Sequence, residues 1–208
     1  MEASAPLAAH IEPEPPEWQP RALWVSARLL AGAVSFFFVA FLFAYFYLRS
    51  IDSNHNWKIG AVNPSIGLGI AVVLCFVLSA AAFRLGALRP ADTLLAGVVA
   101  IVLALAAIVL QFVEYPIAHF GAASGGYAAV FFGWTSLYAI VALMGVYWIE
   151  TQVATLWRFG HAGPEREVRE GVPADDRALL EAGIEASSFY WAYFVAIGVL
   201  AFIVLYLV

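Results

Sequence analysis

Residues 93–111 read TLLAGVVAIVLALAAIVLQ, nineteen positions without one charged side chain. A helix rises 1.5 Å per residue, so this stretch reaches about 28 Å, close to the ~30 Å hydrocarbon core of a bilayer. Hydrocarbon offers no partner to a free N–H or C=O, so an apolar run of this length crosses as a helix that satisfies its own backbone. It has no alternation of polar and apolar residues that a half-buried strand would show.

Four more stretches meet the same requirement, giving predicted spans at 24–48, 64–88, 93–111, 127–157 and 187–208. The composition agrees: 63% of the 208 residues are hydrophobic and 12% are charged, against roughly 25% charged in an average soluble domain. Aromatic residues make up 15% of the chain, which suits a protein whose helix ends sit in headgroup belts. The fold class expected is therefore an all-α integral membrane bundle of five transmembrane helices. Residues 1–23 form a polar tail with Glu2, Glu12, Glu14 and Glu17 among Pro6, Pro13, Pro15, Pro16 and Pro20, and 24–208 form one membrane domain. Proline at that density keeps a tail extended. Its order of residues is not the basic-then-apolar order of a secretory signal.

Several helix ends carry their own signals. Asn63 followed by Pro64 reads as an N-cap with proline at the first helical position. Pro90, Ala91 and Asp92 open the third span in the same way, and Gly160 with Gly163-Pro164 closes the fourth. The loop between spans two and three is short enough to force an antiparallel pair. The one sizeable polar connection, at about 158–186, is expected to hold a short helix from Pro173, Asp175 and Asp176 through Glu181.

Charge sets the expected direction. With the amino terminus in the cytoplasm, Arg21, Arg28, Arg84, Arg89, Arg158, Arg166, Arg169 and Arg177 lie inside and only Arg49 and Lys58 lie outside, a positive-inside bias of eight to two. The carboxyl terminus then falls outside. A formal net charge of -5 offers no basic face to phosphate, so no nucleic-acid partner is expected.

The interiors of the predicted spans contain no Asp, Glu, Lys, Arg or His, whereas proton-coupled pumps and transporters place ionisable relays there. His10, His55, His119 and His161 all fall in the tail or loops, so the chain is expected to ligate no haem or copper, which in a membrane bundle needs imidazole from helix interiors. The single cysteine, Cys75, permits no internal disulfide and reads as a small core residue. No catalytic, cofactor-binding or metal residues are assigned.

The polar residues that stand out are Gln111 and Glu114, three apart and so on one helix face, with Tyr115 beside them. An amide, a carboxylate and a phenol at a helix end suit an interfacial anchor or a structural contact. Glu150, with Arg158 two turns away, suits a local electrostatic pair. Small-residue stretches such as Ser79-Ala80-Ala81-Ala82 and Gly67-Leu68-Gly69 suit close helix contacts. A bundle without relays or internal repeats points to an accessory subunit.

At this point the motifs themselves resemble subunit III of the haem-copper oxidases, in its short five-helix bacterial form. The first span ends in Phe43-Ala44-Tyr45-Phe46-Tyr47-Leu48-Arg49-Ser50, similar to that family's aromatic ending closed by Arg-Ser or Arg-Ala. Leu110-Gln111-Phe112-Val113-Glu114-Tyr115 is similar to its Gln-x-x-Glu-Tyr. Gly125-Gly126-Tyr127 follows with Phe131-Phe132, and Thr135-Ser136-Leu137-Tyr138 through Gly145 keeps the spacing of Thr-Gly-x-His-x-x-His-x-x-x-Gly. Tyr190-Trp191-Ala192-Tyr193-Phe194-Val195 is similar to its Tyr-Trp-His-Phe-Val. The family-matching structural positions are Gln111, Glu114, Tyr115, Tyr127, Thr135, Gly145 and Trp191.

The departures are as specific. The family's Ser-Glu pair in the first span falls on Ala33 and Val34, its two fourth-span histidines on Tyr138 and Val141, and the last span's histidine and aspartate on Tyr193 and Ala196. The resemblance implies a non-catalytic subunit of a respiratory cytochrome c oxidase in the bacterial cytoplasmic membrane, binding phospholipid and packing on the catalytic subunit I, with subunit II and a small subunit IV as further partners. Haem and copper would belong to those partners. The alternatives are a subunit III-like component of a quinol oxidase or nitric oxide reductase, and, from another class, a small membrane transporter.

Overall fold

A computed structural model describes the backbone of residues 18–60, 62–89, 92–161 and 174–208, and all of their side chains except those of 159–161 and 174–177. The described residues form five long helices and no strand: α1 (Gln19–Ser50), α2 (Ile66–Ala87), α3 (Thr93–Ile117), α4 (Gly126–His161) and α5 (Ala174–Phe202). A wide turn with i→i+5 bonds, Ile203–Leu207, continues α5. All five are long and apolar enough to cross a membrane, so the chain is a multi-pass membrane protein.

The helices outrun the hydropathic stretches. α1 begins at Gln19 inside the expected tail, with Pro20 in its first turn where a missing N–H leaves no bond unmade. α3 continues six residues past Gln111 to Ile117, carrying Gln111, Glu114 and Tyr115 on helical backbone and Pro116 within its last turn. α5 begins at Ala174, so the short helix expected through Glu181 is the first turns of the last span rather than a separate element. Hydropathy ends where charge begins, whereas helical hydrogen bonding does not. Residues 1–17, the Gly163-Pro164 pair, Pro90, Ala91 and Pro173 lie outside the described residues.

The N-cap of α2 is Ser65, not Asn63: its hydroxyl accepts from the Leu68 N–H at 3.4 Å. A serine directly before the first helical residue supplies this bond better than an asparagine on the far side of a proline. At the α2–α3 turn the Asp92 side chain makes no capping bond. Thr93 holds that turn instead, donating to the Gly86 and Arg89 carbonyls at 2.8 and 3.2 Å.

Neighbouring helices pack as a ring: α1 touches α4 and α5, α4 touches α3, α3 touches α2, and α2 touches α5, with α5 also against α4. The α2–α3 pair makes the most extensive contact. At that contact a Cβ on Gly86 would stand 2.4 Å from the Ala96 side chain, and the buried face of α3 is Gly97, which packs on Val153 of α4, with Ala100, Ala104 and Ala107, alternating by three and four residues and leading on to Gln111 and Glu114. Small side chains at that spacing let two backbones approach and gain dispersion contacts that lipid tails do not offer. Of the Gly67-Leu68-Gly69 stretch only Gly69 makes a close contact, against the rings of Tyr206 and Phe202; Gly67 has open space where a side chain would be.

The ends of α1, α3 and α5 gather with the starts of α2 and α4 at one pole, termed the Glu114 pole here. Two loops are zipped together there by Ile59 N–H to Ser124 O, Gly126 N–H to Asn56 O and Tyr127 N–H to Trp57 O, at 3.2, 3.1 and 2.9 Å. Gly125, at φ +112°, is required in this zipper: a Cβ would stand 2.6 Å from the Asn56 carbonyl oxygen.

Candidate functional site

Glu114 is fully buried. Its position follows from the small-residue face of α3, which carries the side chain toward the start of α2. Oε1 accepts the backbone N–H of Ser65 at 3.1 Å, while Oε2 accepts the Gln111 amide at 3.1 Å and the Tyr206 hydroxyl at 2.5 Å. Ser65 is the N-cap of α2, so its N–H is one that no bond within α2 would satisfy. In a capping box that N–H is met by a glutamate three residues along the same helix. Here a glutamate from another helix fills the place, and its charge faces the positive end of α2. Among the described residues no ion pair reaches it; its partners are three neutral donors.

Tyr206 reaches Glu114 because Gly69 gives way: a Cβ on Gly69 would lie 2.5 Å from the Tyr206 ring and 2.9 Å from that of Phe202. One carboxylate thus joins α3, the start of α2 and the segment after α5. Bonds to a charged group are worth about 1.5–3 kcal/mol each.

A second polar tie joins the same three helices farther along. The Trp191 indole N–H of α5 donates to Ser79 Oγ of α2 at 3.0 Å, and that hydroxyl donates to the Ala100 carbonyl of α3 at 2.7 Å. Trp191 and Ser79 are both buried. Gly145 of α4 makes room for it, since a Cβ there would stand 2.6 Å from the Trp191 ring. The matched positions Gly145 and Trp191 are therefore one contact.

The other matched positions divide. Tyr115 does not join Gln111 and Glu114; its hydroxyl pairs with Thr135 Oγ1 at 2.9 Å and Ser136 Oγ at 3.1 Å, tying α3 to α4. Thr135 also donates to the Phe131 carbonyl at 2.7 Å. Tyr127 donates to the Leu205 carbonyl at 2.5 Å and meets Trp57 and Tyr45 edge-on. Lys58 Nζ lies 4.4 Å from the centre of the Tyr127 ring. Burial and the nearby Arg49 charge hold its ammonium below the usual lysine range. Glu150 and Arg158 are both exposed and form no ion pair among the described residues.

Where the resemblance puts histidines, this chain has its own bonds. Tyr138 donates to the Phe194 carbonyl at 3.2 Å and stacks on the Phe194 ring at 4.2 Å. Tyr193 pairs with Ser35 at 2.5 Å, joining α5 to α1. Among the described residues no group of three or more His, Cys, Asp or Glu is placed to hold a metal ion.

Sequence reasoning did not single out Ser65, Tyr206 or the pairing role of Ser79. A serine immediately before an apolar run is a capping signal that could have found the first. Nothing in the sequence puts Tyr206 opposite Glu114 except their shared distance from the same membrane pole.

No known family's sequence model matches this chain, and no curated protein matches it either.

Proposed function

We propose that the chain is a non-catalytic membrane subunit of a respiratory haem-copper terminal oxidase, in the place of subunit III of cytochrome c oxidase. It packs on and stabilises the catalytic subunit while that partner reduces oxygen and moves protons. In this reading the amino terminus is cytoplasmic, because the described arginines 21, 28, 84, 89 and 158 lie toward the pole opposite Glu114. The membrane is the bacterial cytoplasmic membrane, subunits I and II with a small subunit IV are neighbours, haem and copper sit in the partners, and phospholipid lines the contact.

One observation carries the reading: the colinear motifs from Gln111 to Trp191 supply the side chains that tie the helices together. Gln111 and Glu114 join three elements, Tyr115 and Thr135 join α3 to α4, Tyr127 reaches the segment after α5, and Gly145 seats Trp191. Every one of these contacts is structural, which suits a subunit that supports chemistry done elsewhere.

The test is purification in mild detergent through an amino-terminal tag, with a reduced-minus-oxidised visible spectrum and identification of the co-purifying chains. Haem absorption arriving with a large, histidine-rich multi-helix subunit is expected. A colourless preparation of this chain alone, from membranes rich in oxidase, would contradict the proposal.

A further inference from the structure

Between the two polar ties lies a pocket of about 40 Å³, walled by Val72 of α2, Gln111 of α3, Trp134 and Tyr138 of α4, and Ala201 and Tyr206 from α5 and the turn after it. Trp134 is 1% exposed, and its indole N–H is the one fully buried side-chain polar atom among the described residues without a hydrogen-bond partner. Its ring is wedged beside Phe38 and Phe41, with ring centres at 6.2 and 6.0 Å.

A buried N–H left without an acceptor keeps the full penalty of having been taken out of water. Native proteins meet such groups with an ordered water wherever room exists, and about 10–15 Å³ suffices for one molecule with two to four polar partners. The pocket exceeds that volume, and its walls hold the partners. Tyr138 and Tyr206 use their hydroxyl hydrogens on Phe194 and Glu114, which leaves lone pairs on both oxygens. The Gln111 amide spends one hydrogen on Glu114 and keeps its other groups.

We infer that this pocket is a hydration site in the middle of the bundle, holding at least one water that accepts from the Trp134 N–H and donates to the tyrosine or glutamine oxygens around it. The water joins the Trp134 side of α4 to the hydrogen-bonded group around Glu114. The site belongs to the fold of this chain alone and does not depend on its assignment to an oxidase.

The test uses the whole chain in lipid nanodiscs with ¹⁵N-labelled tryptophan, the Trp134 indole signal being assigned by its loss in Trp134→Phe. Magnetisation transfer from water to each indole N–H is then measured. Trp134 is expected to show transfer while Trp191, bonded to Ser79, shows none. Filling the pocket with Ala201→Val, or from the opposite wall with Val72→Leu, is expected to abolish the Trp134 transfer. Absence of transfer in the native chain would overturn the inference, as would transfer that persists in whichever filled variant folds.

Discussion

The two ties that hold α2, α3 and α5 differ in chemistry although they join the same helices. At the pole, a carboxylate gathers three donors from three elements; some fourteen residues farther along α2, about 21 Å at 1.5 Å per residue, a neutral relay runs from Trp191 through Ser79 to the Ala100 carbonyl. The difference follows depth. An ionisable group is tolerated near a helix end, where water and headgroups are close, and is expensive at the bilayer centre. Neutral groups can pair at the centre at small gain, about 0.6 kcal/mol on average. The bundle places its charge where the membrane permits it and its indole where only neutral groups are tolerated.

Breaking the polar tie should have the largest effect. Glu114→Ala leaves the Ser65 N–H, the Gln111 amide and the Tyr206 hydroxyl facing an empty space, and is expected to cost about 3 kcal/mol or more in denaturant unfolding of the detergent-solubilised chain. A loss under 1 kcal/mol would show that the carboxylate is not the fastener described. Gly145→Val attacks the deeper tie sterically, driving a side chain into the Trp191 ring; about 2 kcal/mol is expected from the same unfolding titration.

Trp191→Phe tests that tie more gently. It removes the indole N–H that Ser79 accepts and should cost about 1 kcal/mol. A Ser79→Ala change added to it should then cost less than it does alone, because the two act as one relay. The smallest effect concerns pH. Lys58 binds its proton less tightly in the folded chain than its ordinary value of 10.5, through burial first and Arg49 second. In the window just below that value the unfolded chain holds the proton and the folded chain has released it, so stability rises with pH. The melting temperature of the native chain minus that of Lys58→Met should climb across that window, and a flat or falling difference would remove Lys58 from the account.

How much of this was legible beforehand depended on period and length. The run at 93–111 dictates a crossing helix, and the length and apolar content of the other runs dictate four more. The i, i+3 spacing of Gln111 and Glu114 correctly puts them on one face, where Gln111 donates to Glu114. Tyr115, one residue on, points about 100° round the helix and so turns to Thr135 instead. The ends are less legible because hydropathy senses side chains while helices end with backbone bonding, so Asn63 before Pro64 reads as a cap although Ser65 provides it. Contacts such as Tyr206 to Glu114 join residues ninety-two apart, and uniformly apolar helices do not reveal which faces meet.

The buried polar residues described for this chain hold its helices together, and under the proposed function the chemistry is left to partners. On the proposed assignment to an oxidase, the most direct test compares complexes purified through the native chain and through Glu114→Ala, following oxygen consumption per haem and retention of the tagged chain over time in detergent. Turnover per haem equal to native at the outset, with faster loss of the variant chain from the complex, is the predicted result. A fall in turnover per haem while the chain stays bound would contradict the account and place Glu114 in the chemistry itself.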